Sequence, residues 1–168
     1  MPARPLFAAV DTNFLINMAV PRDLVHDAME AVRCRVKGCV FVVLPTVIQE
    51  LTNIAEGADS PKRKLALDAL VSAVPRWGFQ PLNFVPVGHG IVERIGDNIR
   101  AKGLLPEHER NDSFIVAEAA LADCRLLISS DRHMLDIDAG RLAALLEMHS
   151  VSTPLIVSPG KLVREFFR

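Results

Sequence analysis

Apolar and polar positions along the chain form two kinds of segment. Short continuous apolar runs, such as Leu6–Val10 and Cys39–Leu44, are typical of strands that are buried on both faces. Longer segments, such as Leu24–Val36, place apolar residues three and four positions apart, as an amphipathic helix does. The two kinds of segment alternate along the chain. This order predicts an α/β fold with three layers, α/β/α, and a mainly parallel central sheet.

Turn and capping residues place the remaining boundaries. Thr46 follows Pro45 and is expected to cap one helix, and Ser60 is expected to cap the next. The segment Asp112–Ala122 is apolar nearly all round, which predicts a buried helix. A C-terminal helix is predicted over Pro159–Arg168. The pattern also predicts three further strands, at Asn83–Val87, Arg125–Ser129 and Leu155–Val157.

Length and composition favour one globular domain that spans residues 1–168. The chain has 168 residues, of which 50% are hydrophobic and 23% are charged, so it can bury a sizeable core. No apolar run approaches the roughly 18 residues that a membrane span needs. The N-terminal segment MPARPLFAAV has one Arg and no clear cleavage site, unlike a signal peptide. We therefore expect a cytoplasmic protein with no membrane partner.

Charge and cysteine content argue against a strongly basic nucleic-acid binder and against a disulfide or metal role for the cysteines. The formal net charge is −1, so the chain as a whole lacks the strongly basic character of many nucleic-acid binders. A basic patch confined to one part of the surface is still compatible with this charge. The three cysteines are an odd number without CxxC spacing. We expect them to be reduced and mostly buried thiols that form no disulfide and bind no metal.

Four acidic residues are expected near one edge of the predicted sheet. Asp11 directly follows the first strand, and Asp131 follows the strand that ends at Ser129. Glu50 lies on the helix that leaves the second strand, at the border of its apolar stripe, and Asp112 begins the buried helix. In an open parallel sheet, ligands bind outside the carboxyl ends of the strands. The four side chains are therefore candidates for one site.

Taken singly, each of these acids is readily explained as a turn residue, a helix cap or an exposed helix charge. Taken together, four carboxylates in one crevice would repel one another strongly unless a cation joined them. Carboxylate oxygens suit Mg²⁺ or Mn²⁺ better than Zn²⁺. The five histidines show no metal-binding spacing, and His133 is expected to be a solvated loop residue.

Four short motifs in a fixed order suggest a family. They are V-D-T-N at Val10–Asn13, Q-E-L at Gln49–Leu51, N-D-S-F-I-V-A-E-A at Asn111–Ala119 and L-I-S-S-D at Leu127–Asp131. With these motifs the chain resembles PIN-domain ribonucleases, and it is most similar to the VapC-type toxins of bacterial VapBC toxin–antitoxin pairs. The resemblance covers nearly the whole chain, from the first predicted strand to the last.

The resemblance implies a metal-dependent endoribonuclease that hydrolyses RNA phosphodiester bonds. Its implied catalytic and metal-binding residues are Asp11, Glu50, Asp112 and Asp131, with Mg²⁺ or Mn²⁺ as the cofactor. Its implied supporting residues are Thr12, Asn13 and Ser129. The implied partners are an RNA substrate, an antitoxin protein and a second copy of the chain in a homodimer.

Basic residues near the predicted site are candidates for contacts with RNA phosphates. These candidates are Lys62, Arg63, Lys64, Arg110 and Arg132. The first three lie in the first turn of a predicted helix, where positive charge opposes the helix dipole and so does not serve helix stability. The alternative explanation is that all five are solvated surface charges.

Two alternative functions remain open, and the sequence argues against two others. The extra length at Ala58–Val87 and Leu104–Arg110, relative to compact toxins, leaves open a PIN-domain nuclease that processes RNA and is not a toxin. A non-catalytic PIN fold that binds nucleic acid or protein also remains open. A phosphatase of the haloacid-dehalogenase type needs a second acid two residues after the first, where this chain has Asn13. A receiver-like domain needs a lysine after a late strand, and Lys161 is a poor candidate.

Overall fold

The computed structural model describes residues 4–167, and its centre is a sheet of five parallel strands. The strands are β1 (Leu6–Val10), β2 (Cys39–Val43), β3 (Gln80–Pro81), β4 (Cys124–Ile128) and β5 (Leu155–Val157). Their order across the sheet is β3-β2-β1-β4-β5. The three-layer α/β/α prediction is confirmed, and within the described residues every strand pair is parallel.

Helices connect the strands and cover the sheet. They are α1 (Thr12–Met18), α2 (Leu24–Arg35), α3 (Pro45–Glu56), α4 (Pro61–Ser72), α5 (Pro86–Ala101), α6 (Arg110–Leu121), α7 (Arg132–Leu135), α8 (Ala139–Met148) and α9 (Pro159–Phe166). Helix α2 packs against α9, α3 packs against both α4 and α6, and α5 packs against α6 and α8. Most of α6 is buried, as its apolar pattern predicts.

The carboxyl ends of β1, β4 and β5 are level with one another. The backbone N–H of Asp11 donates to the carbonyl of Ile128 at 3.1 Å, and that of Ser129 donates to the carbonyl of Val157 at 3.1 Å. These bonds continue the parallel ladders one residue beyond β1 and β4. The residues that follow these two strands are therefore held at the same edge of the sheet.

The predicted strand Asn83–Val87 is wrong. The strand at this edge is Gln80–Pro81, and Pro86 is already the first residue of α5. Proline suits the first helical position, where its missing N–H and fixed φ cost nothing, while Val85 before it is extended. The short apolar run of this segment therefore leads into a helix and is not a strand.

The predicted cap at Thr46 is also wrong, whereas that at Ser60 is confirmed. Leu44 is the N-cap residue of α3 and makes no side-chain capping bond, and Pro45 is its first helical residue. The Ser60 hydroxyl accepts from the Arg63 N–H at 3.2 Å. The C-terminal helix ends at Phe166, and the predicted end at Arg168 lies outside the described residues.

The remaining sequence-based expectations concern thiols and membranes. Cys34, Cys39 and Cys124 are free cysteines, but the prediction of mostly buried thiols is wrong, because Cys34 is exposed, Cys39 is half-buried and only Cys124 is buried. Burial raises the pKa of the Cys124 thiol to about 12. Within residues 4–167, no helix has the length and apolar character needed to cross a bilayer.

Candidate active site

A cavity of about 140 Å³ opens at the carboxyl edge of the sheet, and carboxylates dominate its wall. All four acids predicted from the sequence line it, together with three predicted neighbours and two apolar side chains. The lining residues are Asp11, Thr12, Asn13, Glu50, Ile54, Lys62, Asp112, Ile115 and Asp131. The structure thus brings the predicted acids together, while their catalytic role stays a prediction.

Asp11 is the most buried of the four acids, with only 3% of its surface exposed. It is the N-cap residue of α1, and its Oδ1 accepts from the Phe14 N–H at 2.8 Å. Its Oδ2 accepts from the Ser129 hydroxyl at 2.5 Å. The same Ser129 oxygen accepts from the backbone N–H of Asp131 at 2.9 Å. One buried serine therefore fixes the ends of β1 and β4 relative to each other.

The other acids are positioned by their own helices. Asp131 is the N-cap residue of α7, where its Oδ1 accepts from the Met134 N–H at 3.2 Å. Glu50 lies on α3, and its Oε1 accepts from the Thr12 hydroxyl at 2.9 Å. Asp112 lies in the first turn of α6, where a negative charge is favoured by the helix dipole. Three helix N-termini and one helix face thus present the four carboxylates.

The carboxylates disfavour one another's charge. Burial raises the pKa of Asp11, bonds from Ser129 and Phe14 oppose that change, and the charges of Asp131 and Glu50 add to it. Burial first, and then the charges of nearby acids such as Asp131 and Glu109, together raise the pKa of Asp112 to about 7. An added cation would relieve this repulsion.

The donor set suits a hard divalent cation. It consists of carboxylate oxygens, with hydroxyl and amide oxygens beside them, and none of the histidines and cysteines that the structure describes lines the cavity. Among the described residues, no three of the four acids bring carboxylate oxygens within 4.8 Å of one another. Mg²⁺ usually binds one or two carboxylates directly and retains several water ligands, so this spacing fits it.

One of the five predicted phosphate-contacting residues, Lys62, lines the cavity. Three of the others face elsewhere. Arg63 donates to the Ala55 carbonyl at 2.9 Å, Arg110 lies over the ring of Phe114, and the guanidinium of Arg132 is 3.5 Å from Asp136. Lys64 is exposed and does not line the cavity. The prediction of RNA contacts is therefore best supported for Lys62.

Sequence reasoning missed Glu118, which lies on α6 with 3% of its surface exposed. Its Oε1 accepts from the Thr46 hydroxyl at 2.7 Å, and its carboxylate also accepts from the Thr46 N–H. Glu118 thereby caps α3 from a neighbouring helix and ties the helix of Glu50 to the helix of Asp112. The sequence signal that could have identified Glu118 is that it is the single acid within the apolar segment Ile115–Leu121.

Comparisons with known proteins agree with this architecture. The sequence model of a protein family described as "PIN domain" matches residues 8–140 of this chain. A search of curated proteins found no match. The structure of VapBC2 from Rickettsia felis bound to a DNA fragment from their promoter is similar, with a TM-score of 0.57 and 14% identity, over 79% of this chain and 93% of that one.

The structure of FitAcB from Neisseria gonorrhoeae is also similar, with a TM-score of 0.55 and 14% identity, over 92% of this chain and 99% of that one. At such identities the two structures show a shared fold. The family match, by contrast, spans most of the chain and includes Asp11, Glu50, Asp112 and Asp131. The chain belongs to the PIN domain family.

Proposed function

We propose that this protein is a metal-dependent endoribonuclease, and that it is the toxin of a type II toxin–antitoxin pair. The observation that carries the nuclease proposal is the cavity in which Asp11, Glu50, Asp112 and Asp131 meet at the carboxyl edge of the sheet. Nuclease activity is typical of the PIN family. Resemblance to VapC-type sequences and the fold shared with VapBC2 and FitAcB support the toxin proposal.

The four carboxylates would hold Mg²⁺ or Mn²⁺. When bound, such a cation makes hydroxide available near neutral pH and offsets phosphate charge. The chain's own contribution is placement. Ser129 holds Asp11 and the Asp131 backbone in register, Thr12 orients Glu50, and Asn13 faces the cavity beside them. Lys62 is positioned to contact a phosphate of the RNA. Hydrolysis would leave a 5′-phosphate and a 3′-hydroxyl.

The partners follow from the same proposal. Phosphate contacts position an RNA strand without reading its sequence, so Lys62 would serve many RNAs equally. An antitoxin protein would silence the enzyme by covering the acidic cavity. A second copy of the chain would form a homodimer, and the protein would act in the cytoplasm.

The test of the nuclease proposal is cleavage of a mixed, structured RNA pool by the purified protein. We expect cleavage with Mg²⁺ or Mn²⁺ and none with EDTA. Asp11→Asn removes one charge from the cavity wall and should lower the cleavage rate by at least about a hundredfold, a size typical of lost charge stabilisation in a transition state. Gel analysis of RNA ends would identify the 5′-phosphate.

Asp123→Asn is the matched control, because Asp123 is exposed and lies before β4, at the opposite edge of the sheet. It should cleave like the wild type. Far-UV circular dichroism should show that both variants are folded. Cleavage by Asp11→Asn at the wild-type rate would refute the site assignment. Absence of cleavage by folded, inhibitor-free wild-type protein would favour a binding role for the fold.

A further inference from the structure

Two histidines that are 25 positions apart in the sequence meet at one glutamate on the surface. His133 Nδ1 lies 3.0 Å from Glu109 Oε1, and His108 Nε2 lies 3.4 Å from the same oxygen. One ligand atom from each of the three residues lies within 4.8 Å of those from the other two. Among the described residues, only these three bring His, Cys or carboxylate ligand atoms so close together.

We propose that His108, Glu109 and His133 form a second metal site, which takes a borderline transition-metal ion of the Zn²⁺ class. Two imidazoles and one carboxylate are a ligand set that proteins use for Zn²⁺. Three protein ligands leave the fourth tetrahedral position for water or another small ligand. The proposal does not depend on nuclease activity.

The observed spacing needs little adjustment to receive such an ion. Zinc bonds of about 2.0–2.1 Å in a tetrahedron separate ligand atoms by about 3.3 Å. The two contacts to Glu109, of 3.0 and 3.4 Å, lie on either side of that value, and the ligand nitrogens of the two histidines lie within 4.8 Å of each other. Glu109, with 27% of its side chain exposed, is the most buried of the three, whereas the His108 side chain is 76% exposed and that of His133 is 48% exposed. The two rings can therefore rotate toward a common ion.

The surrounding charges favour a cation. Glu109 directly precedes α6, one turn before Asp112, and His133 comes two residues after Asp131. The two arginines nearest in sequence do not occupy the cluster, because Arg110 lies over Phe114 and Arg132 pairs with Asp136. An ion at the cluster would tie the start of α6 to α7, the two helices at whose N-termini Asp112 and Asp131 lie.

The two metal sites should differ in selectivity. Imidazole nitrogens favour Zn²⁺ and related ions, whereas an oxygen-only cavity favours Mg²⁺ or Mn²⁺. Excess Mg²⁺ should therefore occupy the acidic cavity and leave the histidine site to Zn²⁺. This difference allows the sites to be measured separately.

The test is calorimetric titration of the full chain with Zn²⁺ alone, in buffer that contains excess Mg²⁺. We expect one Zn²⁺ per chain. His108→Ala and His133→Ala should each weaken Zn²⁺ binding by at least about tenfold, because even outer-shell partners of a metal ligand are worth that much. His89→Ala is the matched control, since His89 is exposed and outside the cluster, and it should bind Zn²⁺ like the wild type.

Asp131→Asn distinguishes the two sites. If the proposal is right, this variant retains Zn²⁺ binding. In its nuclear magnetic resonance spectrum, the imidazole nitrogen resonances of His108 and His133 should shift when Zn²⁺ is added, whereas those of His89 should not. If Asp131→Asn loses Zn²⁺ while the histidine variants keep it, the ion binds in the acidic cavity and the proposal is wrong. Failure of the wild type to bind Zn²⁺ would equally overturn it. Circular dichroism would establish that each variant is folded.

Discussion

Glu118 is a buried carboxylate that serves structure at some cost in stability. Burial raises its pKa to about 7, although bonds from the Thr46 side chain and backbone favour its charged form. In the unfolded chain its pKa returns to the ordinary value near 4.5. Between these two values the folded protein binds the proton and the unfolded chain does not. The contribution of Glu118 to stability is therefore complete below about pH 4.5 and is lost as the pH rises through about 7.

Glu118→Gln should remove this part of the pH dependence. Gln stays neutral and retains an oxygen that can accept from Thr46. We expect the difference in free energy of unfolding between pH 5 and pH 8 to be about 1–3 kcal/mol smaller in the variant than in the wild type. Urea unfolding at the two pH values measures this difference.

Glu93→Gln is the control for this prediction. Glu93 lines the same surface cavity as Glu118, but it is exposed. Its replacement should leave the pH dependence of stability unchanged. If Glu118→Gln and the wild type have equal pH dependence, Glu118 does not retain its proton in the folded protein.

The sequence predicts the positions of some site residues in the fold but not the contacts of others. Asp11 directly follows one apolar strand, and Asp131 comes three residues after the end of another. Their shared edge of the sheet could therefore be predicted from the strand ends alone. The meeting of His108 with His133 depends on how α6 and α7 are placed, and no local pattern reports that distance. The same holds for Glu118, whose partner Thr46 is 72 positions away.

At the scale of elements, the close packing of α5 on α6 depends on Gly96. A methyl group at Gly96 would lie 2.5 Å from Cδ1 of Phe114 and 2.9 Å from its Cε1. By contrast, a methyl group at Gly90 on the same helix would meet nothing within 4 Å. On α5, Gly96 thus permits the close packing against α6, whereas Gly90 does not contribute to it.

Gly96→Ala should destabilise the protein by about 1–3 kcal/mol, because α5 or the Phe114 ring must move to admit the methyl group. Gly90→Ala, its matched control, should stabilise the protein by up to about 1 kcal/mol, because alanine is the better helix former. Chemical denaturation of both variants tests the pair. Equal effects of the two substitutions would contradict the packing argument.

Elements with strong local patterns were predicted well, and those set by neighbours were not. The runs of β1 and β2 are apolar throughout, as both faces of a parallel strand are covered. The segment Asn83–Val87 is a short apolar run like that of a strand, yet Pro86 begins a helix there. Two residues of β3 pair with Val42 and Val43 instead, and so short a ladder leaves no periodicity in the sequence.

For the whole molecule, the acidic cavity couples cation binding to folding. The pKa values of Asp11 and Asp112 are raised partly by their acidic neighbours, so the cation-free fold bears a repulsion that the unfolded chain lacks. A cation that binds only the folded state stabilises it by about 2.7 kcal/mol at a hundred times its Kd. For a chain of this size that corresponds to roughly 5–10 °C in Tm.

We therefore expect Mg²⁺ to raise the Tm of the wild type and to raise that of Asp112→Asn by less. Without Mg²⁺, Asp112→Asn should be at least as stable as the wild type, because it removes one of the repelling charges. Asp123→Asn should respond to Mg²⁺ like the wild type. Scanning calorimetry with Mg²⁺ and with EDTA provides the comparison. An equal Mg²⁺ response in Asp112→Asn would exclude Asp112 from the cation site.

The two outermost strands of the sheet have a consequence for how copies of this protein can associate. Strand β3 has two residues, one of which is a proline that offers no N–H, and β5 has three. Edges this short and interrupted give an incoming strand little to pair with, which protects the folded chain against edge-to-edge aggregation. A dimer built by extending the sheet across two molecules is disfavoured for the same reason. Self-association of this protein would have to use its helical surfaces.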